Sequence, residues 1–352
     1  MGILASQILQ DFRVQGLVTE QLGPDVAFET IQPVETCTSE DLVFADGEQY
    51  IPTVLDRKPA ITVTNKSLAS SLVEAGLSVI VSPNVKLSQA LFRQKYTDTD
   101  FHDSEWGQVH SSAVIHESVN IPASTVIGPG TVIGKDVKLG ENCVVMANTV
   151  IEHDVLVGDD TIIHSNVVVG WGCKIGSRVF LKSGCIIGSE GFGYAQDQQR
   201  KHYRIPQQGI VVVEDDCTIG TNNVLDRAAF EETRIGSGSI FDSLVHVAHN
   251  VKMGKDCIML AQTVIAGSTE IGDRVIASGQ TGILDHLKVS NDVVLLHRAG
   301  VTQDIKEPGM YGYLPLQPLK TYIKNAAAMK KLSDIKRSVS RLEKQMAKLN
   351  EE

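Results

Sequence analysis

From Ile115 an aliphatic residue returns at every sixth position: Ile121, Ile127, Ile133, Leu139, Val145 and on to Ile187. The series resumes as Val213, Ile219 and Leu225, shifts phase to Ile235, and continues through Val247, Ile265 and Ile283 to Val301, weakened only at Ala277. A period of six fits neither the 3.6 of a helix nor the 2 of an ordinary strand, and a fixed period marks a solenoid. Four places after each apolar position comes a small or β-branched residue, as in Val119, Thr125, Thr131, Val137 and Cys143. Gly often follows the apolar residue directly (Gly128, Gly134, Gly140), where a corner suits a backbone without Cβ strain. Three short strands per eighteen-residue coil predict a mainly β chain built on a left-handed parallel β-helix.

Residues 1 to about 105 lack the hexad. Ala60–Thr64 and Ser78–Ser82 read as strands by their β-branched content, and Ser67–Ala75 and Lys86–Tyr96 as helices. Their alternation predicts a small α/β domain. Two interruptions leave the solenoid, Ser189–Gln208 and a four-residue insertion in Asp226–Arg234. Loops on a rigid scaffold often carry function. After Pro318 the chain turns helical, with Leu332, Ile335, Val339, Leu342, Met346 and Leu349 spaced as an a/d seam. A narrow seam of this kind favours self-association over folding back on its own subunit. The expected organisation is an α/β domain over 1–105, a β-helix over 106–312 and a helical extension over 313–352.

Composition narrows the function. A net charge of −10 argues against a general nucleic-acid binder. Two basic clusters, Arg200, Lys201 and Arg204 and the lysines and arginines beyond Lys320, suit either an acidic partner or solvated faces. No run reaches the eighteen or more apolar residues of a transmembrane segment. The first residues lack the charged leader and apolar core of a signal peptide. Cys143, Cys173, Cys185, Cys217 and Cys257 all fall in the small inward slot, which reads as packing and excludes disulfides and a thiol nucleophile. A reduced, cytoplasmic protein is expected.

The chemistry follows from the eighteen-residue coil. Residues eighteen apart stack at the interstrand spacing of ~4.8 Å. His249 and Gly267 are eighteen apart, and His286 lies two coils and one residue beyond His249, so all three are expected along one strip of one face. A His can take a proton from an attacking amine or hydroxyl, and a backbone N–H one coil away can meet the developing oxyanion. That geometry suits acyl transfer. His246 and His249 also form an H-x-x-H pair, but zinc needs three or four converging ligands and spacing supplies no third. No metal or cofactor is expected, and no P-loop, dinucleotide motif or Ser nucleophile elbow is present.

Several segments carry a family resemblance: Gly191-Phe192-Gly193-Tyr194-Ala195, Ile205-Pro206-Gln207-x-Gly209, Asp226-Arg227, Asp242 through His249-Asn250, Glu307-Pro308-Gly309 and Pro315-Leu316-Gln317-Pro318. Over nearly its whole length the chain resembles the UDP-3-O-(3-hydroxyacyl)glucosamine N-acyltransferases of lipid A biosynthesis, within the hexapeptide-repeat acyltransferases. The resemblance implies a homotrimer of Gram-negative bacteria with sites between its β-helices. It implies acyl carrier protein as partner, whose phosphopantetheine thioester is co-substrate, and UDP-3-O-acyl-glucosamine as acceptor. His249 matches the base, Gly267 the oxyanion position and His286 a second histidine near the acceptor diphosphate. In a uridine-binding cap, Phe44 and Tyr50 match aromatics that hold uracil. Gly47 departs from the pattern, since relatives can carry Asn there. Ala299, Gly300 and Thr302 depart at the floor of the acyl groove, where relatives can carry Met; smaller side chains imply a longer groove. The repeat alone also fits an O-acyltransferase, a nucleotide-sugar acetyltransferase or a non-catalytic trimeric scaffold.

Overall fold

The structure is a computed structural model that describes residues 2–312 and 319–349. The chain divides into two compact units, Met1–Asp100 and Phe101–Glu352, a boundary five residues before the one expected from the hexad.

In the first unit the β-branched runs form the middle of a five-stranded sheet, ordered Glu20–Leu22, Ser78–Val81, Ile61–Thr64, Asp41–Ala45 and Thr30–Ile31. Only the first of these strands runs antiparallel to its neighbour. Helices Lys66–Glu74 and Val85–Tyr96 start where Asn65 and Asn84 cap them, each Asn Oδ1 accepting a backbone N–H of the first turn. Strand alternation sorts side chains to two faces. Along Asp41–Ala45, Leu42 and Phe44 join one apolar cluster, and Val43 and Ala45 the other.

In the second unit the hexad folds as its period requires. Two-residue strands stack into three parallel sheets with a register of eighteen, as in Val132↔Val150, Val144↔Ile162 and Lys138↔Leu156. The hexad residues form one continuous core: Ile127, Ile151, Ile163 and Ile187 are wholly buried. Burying each such side chain is worth roughly 1.5–3 kcal/mol relative to leaving it exposed. The small slot is buried too, and several of its threonines bond a carbonyl of the next coil. Thr131 Oγ1 donates to the Met146 carbonyl at 3.0 Å, Thr149 to His164 at 2.9 Å and Thr161 to Gly176 at 2.8 Å. All six cysteines are free and buried. Burial pushes the thiols of Cys185 and Cys257 up to about 11 and that of Cys217 up to about 12. A thiolate nucleophile is therefore not available at neutral pH from these residues.

The glycines that follow the hexad residue have a different reason from the one expected. Left-handed backbone belongs to the residue two places later, such as Asp136 (φ 57°), Asn142 (56°) and Asn148 (58°). Asn and Asp tolerate that region best among residues with a side chain. Gly134 is needed because a Cβ there would stand 2.7 Å from the His153 nitrogen of the adjoining coil. Coil-to-coil approach, not turn geometry, selects it.

Register widens at the two interruptions. Lys174 pairs with Val212, a separation of 38, so 38 − 18 = 20 residues leave the coil. Val224 pairs with His246, a separation of 22, so 22 − 18 = 4 residues are inserted. The first excursion folds as a hairpin of Tyr194–Gln196 against His202–Arg204. Helices Leu319–Met329 and Leu332–Leu349 follow, and along the second the seam residues Leu332, Ile335, Val339, Leu342 and Met346 are exposed. The Pro315–Pro318 motif lies outside the described residues.

Candidate active site

The strand His246–Val247 belongs to the first face of the solenoid, and His249 sits in the corner that follows it. One coil on, the same corner carries Gly267, and the next carries Asp285 and His286. The expected strip is thus a stack of corners rather than a flat face. The His249 ring lies over Gly267: a Cβ on that glycine would stand 2.7 Å from Cε1 and 2.8 Å from Nε2. Only glycine leaves room for the imidazole there.

The ring is held in one tautomer. Asn250 Nδ2 donates to the Phe230 carbonyl at 3.0 Å, which turns Asn250 Oδ1 toward the Ala229 N–H at 2.9 Å and His249 Nδ1 at 3.1 Å. An oxygen that faces both groups is an acceptor, so Nδ1 carries the proton and Nε2 is the free lone pair. Gly267 is buried, and its N–H makes no hydrogen bond among the described residues. Buried, unpaired backbone donors are rare. The corner therefore joins a free imidazole nitrogen to an uncommitted amide donor, the two groups needed to accept a proton and to meet an oxyanion. His286 adopts φ 56°, donates its N–H to the Gly267 carbonyl at 3.0 Å, and leaves its side chain exposed beside Asp285.

The excursion at Ser189–Gln208 closes behind His249. A Cβ on Gly191 would stand 2.8 Å from His249 Cβ and 3.3 Å from Gln207 Oε1. Gln207 is buried, with Nε2 on the Ile205 carbonyl at 3.0 Å and Oε1 unpaired. Both ends of the excursion are tied by Arg227, a buried guanidinium that donates to the carbonyls of Gly188 (2.9 Å), Gly209 (3.2 Å) and Trp171 (3.2 Å). It also stacks 3.8 Å from the centre of the Trp171 ring, a cation–π contact that replaces part of its lost hydration.

The other histidine of the H-x-x-H pair turns elsewhere. His246 Nε2 meets Asp226 Oδ2 at 3.0 Å, and Asp226 is buried. The hydrogen bond to Asp226 holds the His246 pKa above the ordinary imidazole value, against the opposing effect of burial. A raised folded-state pKa contributes stability that is fully present below the unfolded value, about pH 6.5, and is lost as pH rises through the folded value. His246→Gln is accordingly expected to lower Tm most near pH 6 and least near pH 9, read by thermal scans across that range. A gap independent of pH would assign the pair to packing alone.

In the first unit Phe44 is half-buried, its ring 5.9 Å from that of Phe92, and it lines a surface cavity with Gln32, Gln89 and Arg93. Tyr50, in the short turn Glu48–Tyr50, packs instead on the opposite cluster. The two aromatics are thus not brought together on one apolar cluster. The space a Cβ on Gly47 would take is filled by the Gln49 side-chain amide. Of the groove residues, Gly300 and Thr302 are exposed, but Ala299 is buried in the solenoid core and cannot floor a groove. Strand parity decides this: Gly300 faces outward, and its neighbour Ala299 lies inward. Gly282, paired with Gly300, joins it on the outer face, and neither has any atom within 4 Å of an added Cβ.

The roles of Asn250, Asp226, Arg227 and Trp171 do not follow from spacing along the chain. Asp226-Arg227 was visible as a motif within the insertion, and Asn250 as the residue after His249; Trp171 carried no signal.

Comparison with known proteins places the chain among acyltransferases. It is 49% identical over 350 residues to the UDP-3-O-acylglucosamine N-acyltransferase of Methylococcus capsulatus, covering 99% of each chain. It is 40% identical over 162 residues to the protein of that name from Geobacter sp. strain M21, covering 46% of this chain and 47% of that one. The chain belongs to the UDP-3-O-acylglucosamine N-acyltransferase family. The GMPPB C-terminal domain family matches residues 109–191. Among solved structures, the UDP-N-acetylglucosamine acyltransferase of Arabidopsis matches at 21% identity and a TM-score of 0.43, covering 64% of this chain and 80% of that one.

Proposed function

We propose that the protein moves a 3-hydroxyacyl chain from acyl carrier protein to the 2-amino group of UDP-3-O-(3-hydroxyacyl)-glucosamine, a cytoplasmic step of lipid A biosynthesis. The observation that carries this reading is the His249 ring held over Gly267 with its Nε2 free, in a chain 49% identical to an enzyme named for that acceptor class. The amine attacks the thioester carbonyl and gives its proton to His249 Nε2. The Gly267 N–H stabilises the oxyanion, and collapse of the tetrahedral intermediate expels the phosphopantetheine thiolate. No acyl-enzyme is needed, because no activated nucleophile adjoins the corner among the described residues. The exposed seam from Leu332 to Met346 supports assembly as a homotrimer. Phe44 and Tyr50 serve uridine in this reading, with Gln49 supplying an amide near Gly47.

The test is acyl transfer from 3-hydroxyacyl carrier protein to UDP-3-O-acylglucosamine with the purified protein. Turnover supports the reading, and its absence in folded trimer refutes this acceptor and donor. Two variants refine it. His286→Ala is expected to raise the acceptor KM roughly 10-fold with kcat little changed, as loss of one charge-assisted hydrogen bond would; a fall in kcat alone would remove the diphosphate role. Gly300→Met, filling open space on the outer face, is expected to suppress transfer of the longest acyl chains while sparing short ones. Full activity of that variant on the longest chains would show that the groove does not run over Gly300.

A further inference from the structure

The outward residues of the first face form a ladder in exact eighteen-fold or insertion-shifted register: Val168, Ile186, Val224, His246, Val264 and Gly282. From Val114 to Gly300 every rung is aliphatic or glycine except His246. Several rungs are exposed, including Ile186 at 38% and Val264 at 45%. The exception is not a stray surface residue. It is hydrogen-bonded to a carboxylate that is buried, and it lies three residues before His249 on the same coil.

Burying a carboxylate is costly unless its partner and use offset the lost hydration. The solenoid does not require the His246 end of the pair, because the neighbouring coils carry Val224 and Val264 at the same rung. An apolar strip interrupted once suits a ligand that is a hydrocarbon with one polar group. The pair retains capacity for such a group: His246 Nδ1 and Asp226 Oδ1 make no hydrogen bond among the described residues. A 3-hydroxyacyl thioester has that pattern, an alkyl chain whose hydroxyl lies two carbons from the reacting carbonyl.

We propose that the His246–Asp226 pair reads the 3-hydroxyl of the incoming acyl chain and so selects 3-hydroxyacyl over unsubstituted donors. The inference rests on the acyl-transfer reading above. The hydroxyl both donates and accepts, and a site built to bond it leaves the buried Asp226 carboxylate short of a partner when the hydroxyl is missing.

The experiment compares kcat/KM for 3-hydroxyacyl and unsubstituted acyl carrier protein of equal chain length, using wild type, His246→Leu and Asp226→Asn. Wild type is expected to prefer the hydroxylated donor, and each variant to lose roughly 10–100-fold of that preference, the range for one hydrogen bond to a charged group. His246→Gln, which keeps a donor and an acceptor on a half-exposed rung, is expected to recover part of it and decides the matter should His246→Leu fail to fold. A wild type indifferent to the hydroxyl, or variants that slow both donors equally, would overturn the proposal while leaving acyl transfer intact. Absence of wild-type turnover with either donor would instead overturn the reading of function on which it rests.

Discussion

His249→Ala is expected to lower kcat by roughly 10²–10⁴-fold, the range for loss of a positioned general base, with KM for both substrates changed far less. The reason is the single tautomer. Asn250 Oδ1 receives His249 Nδ1 and the Ala229 N–H together, so the neutral ring offers only Nε2 to an attacking amine. Steady-state kinetics beside a thermal scan checks it. Tm should stay close to wild type, because among the described residues the His249 side chain makes one hydrogen bond and adds nothing to the apolar core. Near-normal kcat in a folded variant would place the base elsewhere. Asn250→Ala should give the smaller part of the loss, since the ring then keeps its place over Gly267 but not its tautomer.

The second large effect is expected from adding one methyl group. Gly267→Ala puts a Cβ 2.7 Å from His249 Cε1 and 2.8 Å from Nε2, closer than real contacts allow. The backbone of the corner is fixed by coil-to-coil hydrogen bonds on both sides, from Ser268 N to the His249 carbonyl (2.9 Å) and from His286 N to the Gly267 carbonyl (3.0 Å). The imidazole must therefore move. A displacement of about 1 Å at a reacting group can cost on the order of 10²-fold in rate, and a fall of that size in kcat is expected. Retained kcat would show that the ring swings aside freely and that its seat over Gly267 is unrelated to the reaction.

These two residues were legible in the chain because the coil is strictly eighteen residues long between them. Spacing alone stacks 249 on 267, and the absence of a side chain at 267 marks the close approach. The same rule fails across the insertions. Asp226 and His246 are twenty apart, and they meet because the coil between them holds twenty-two residues, a fact set by Val224↔His246 pairing. Arg227 reaches Gly188 and Gly209 only once the twenty-residue excursion has closed on itself. Parity was the other blind spot. Ala299 and Gly300 look alike in a sequence, yet Ala299 is buried in the core and Gly300 is exposed.

The amino-acid sequence by itself determined the solenoid, its inward core, the packing role of the cysteines and the His249–Gly267 stack. All of these follow from local periodicity, in which each residue's surroundings repeat at a fixed offset. Only the tertiary structure decided which tautomer His249 adopts, what clasps the excursion at both ends and where a buried carboxylate meets the apolar ladder. Those contacts join segments across insertions, where offset carries no information and hydrogen-bond geometry alone selects the partner.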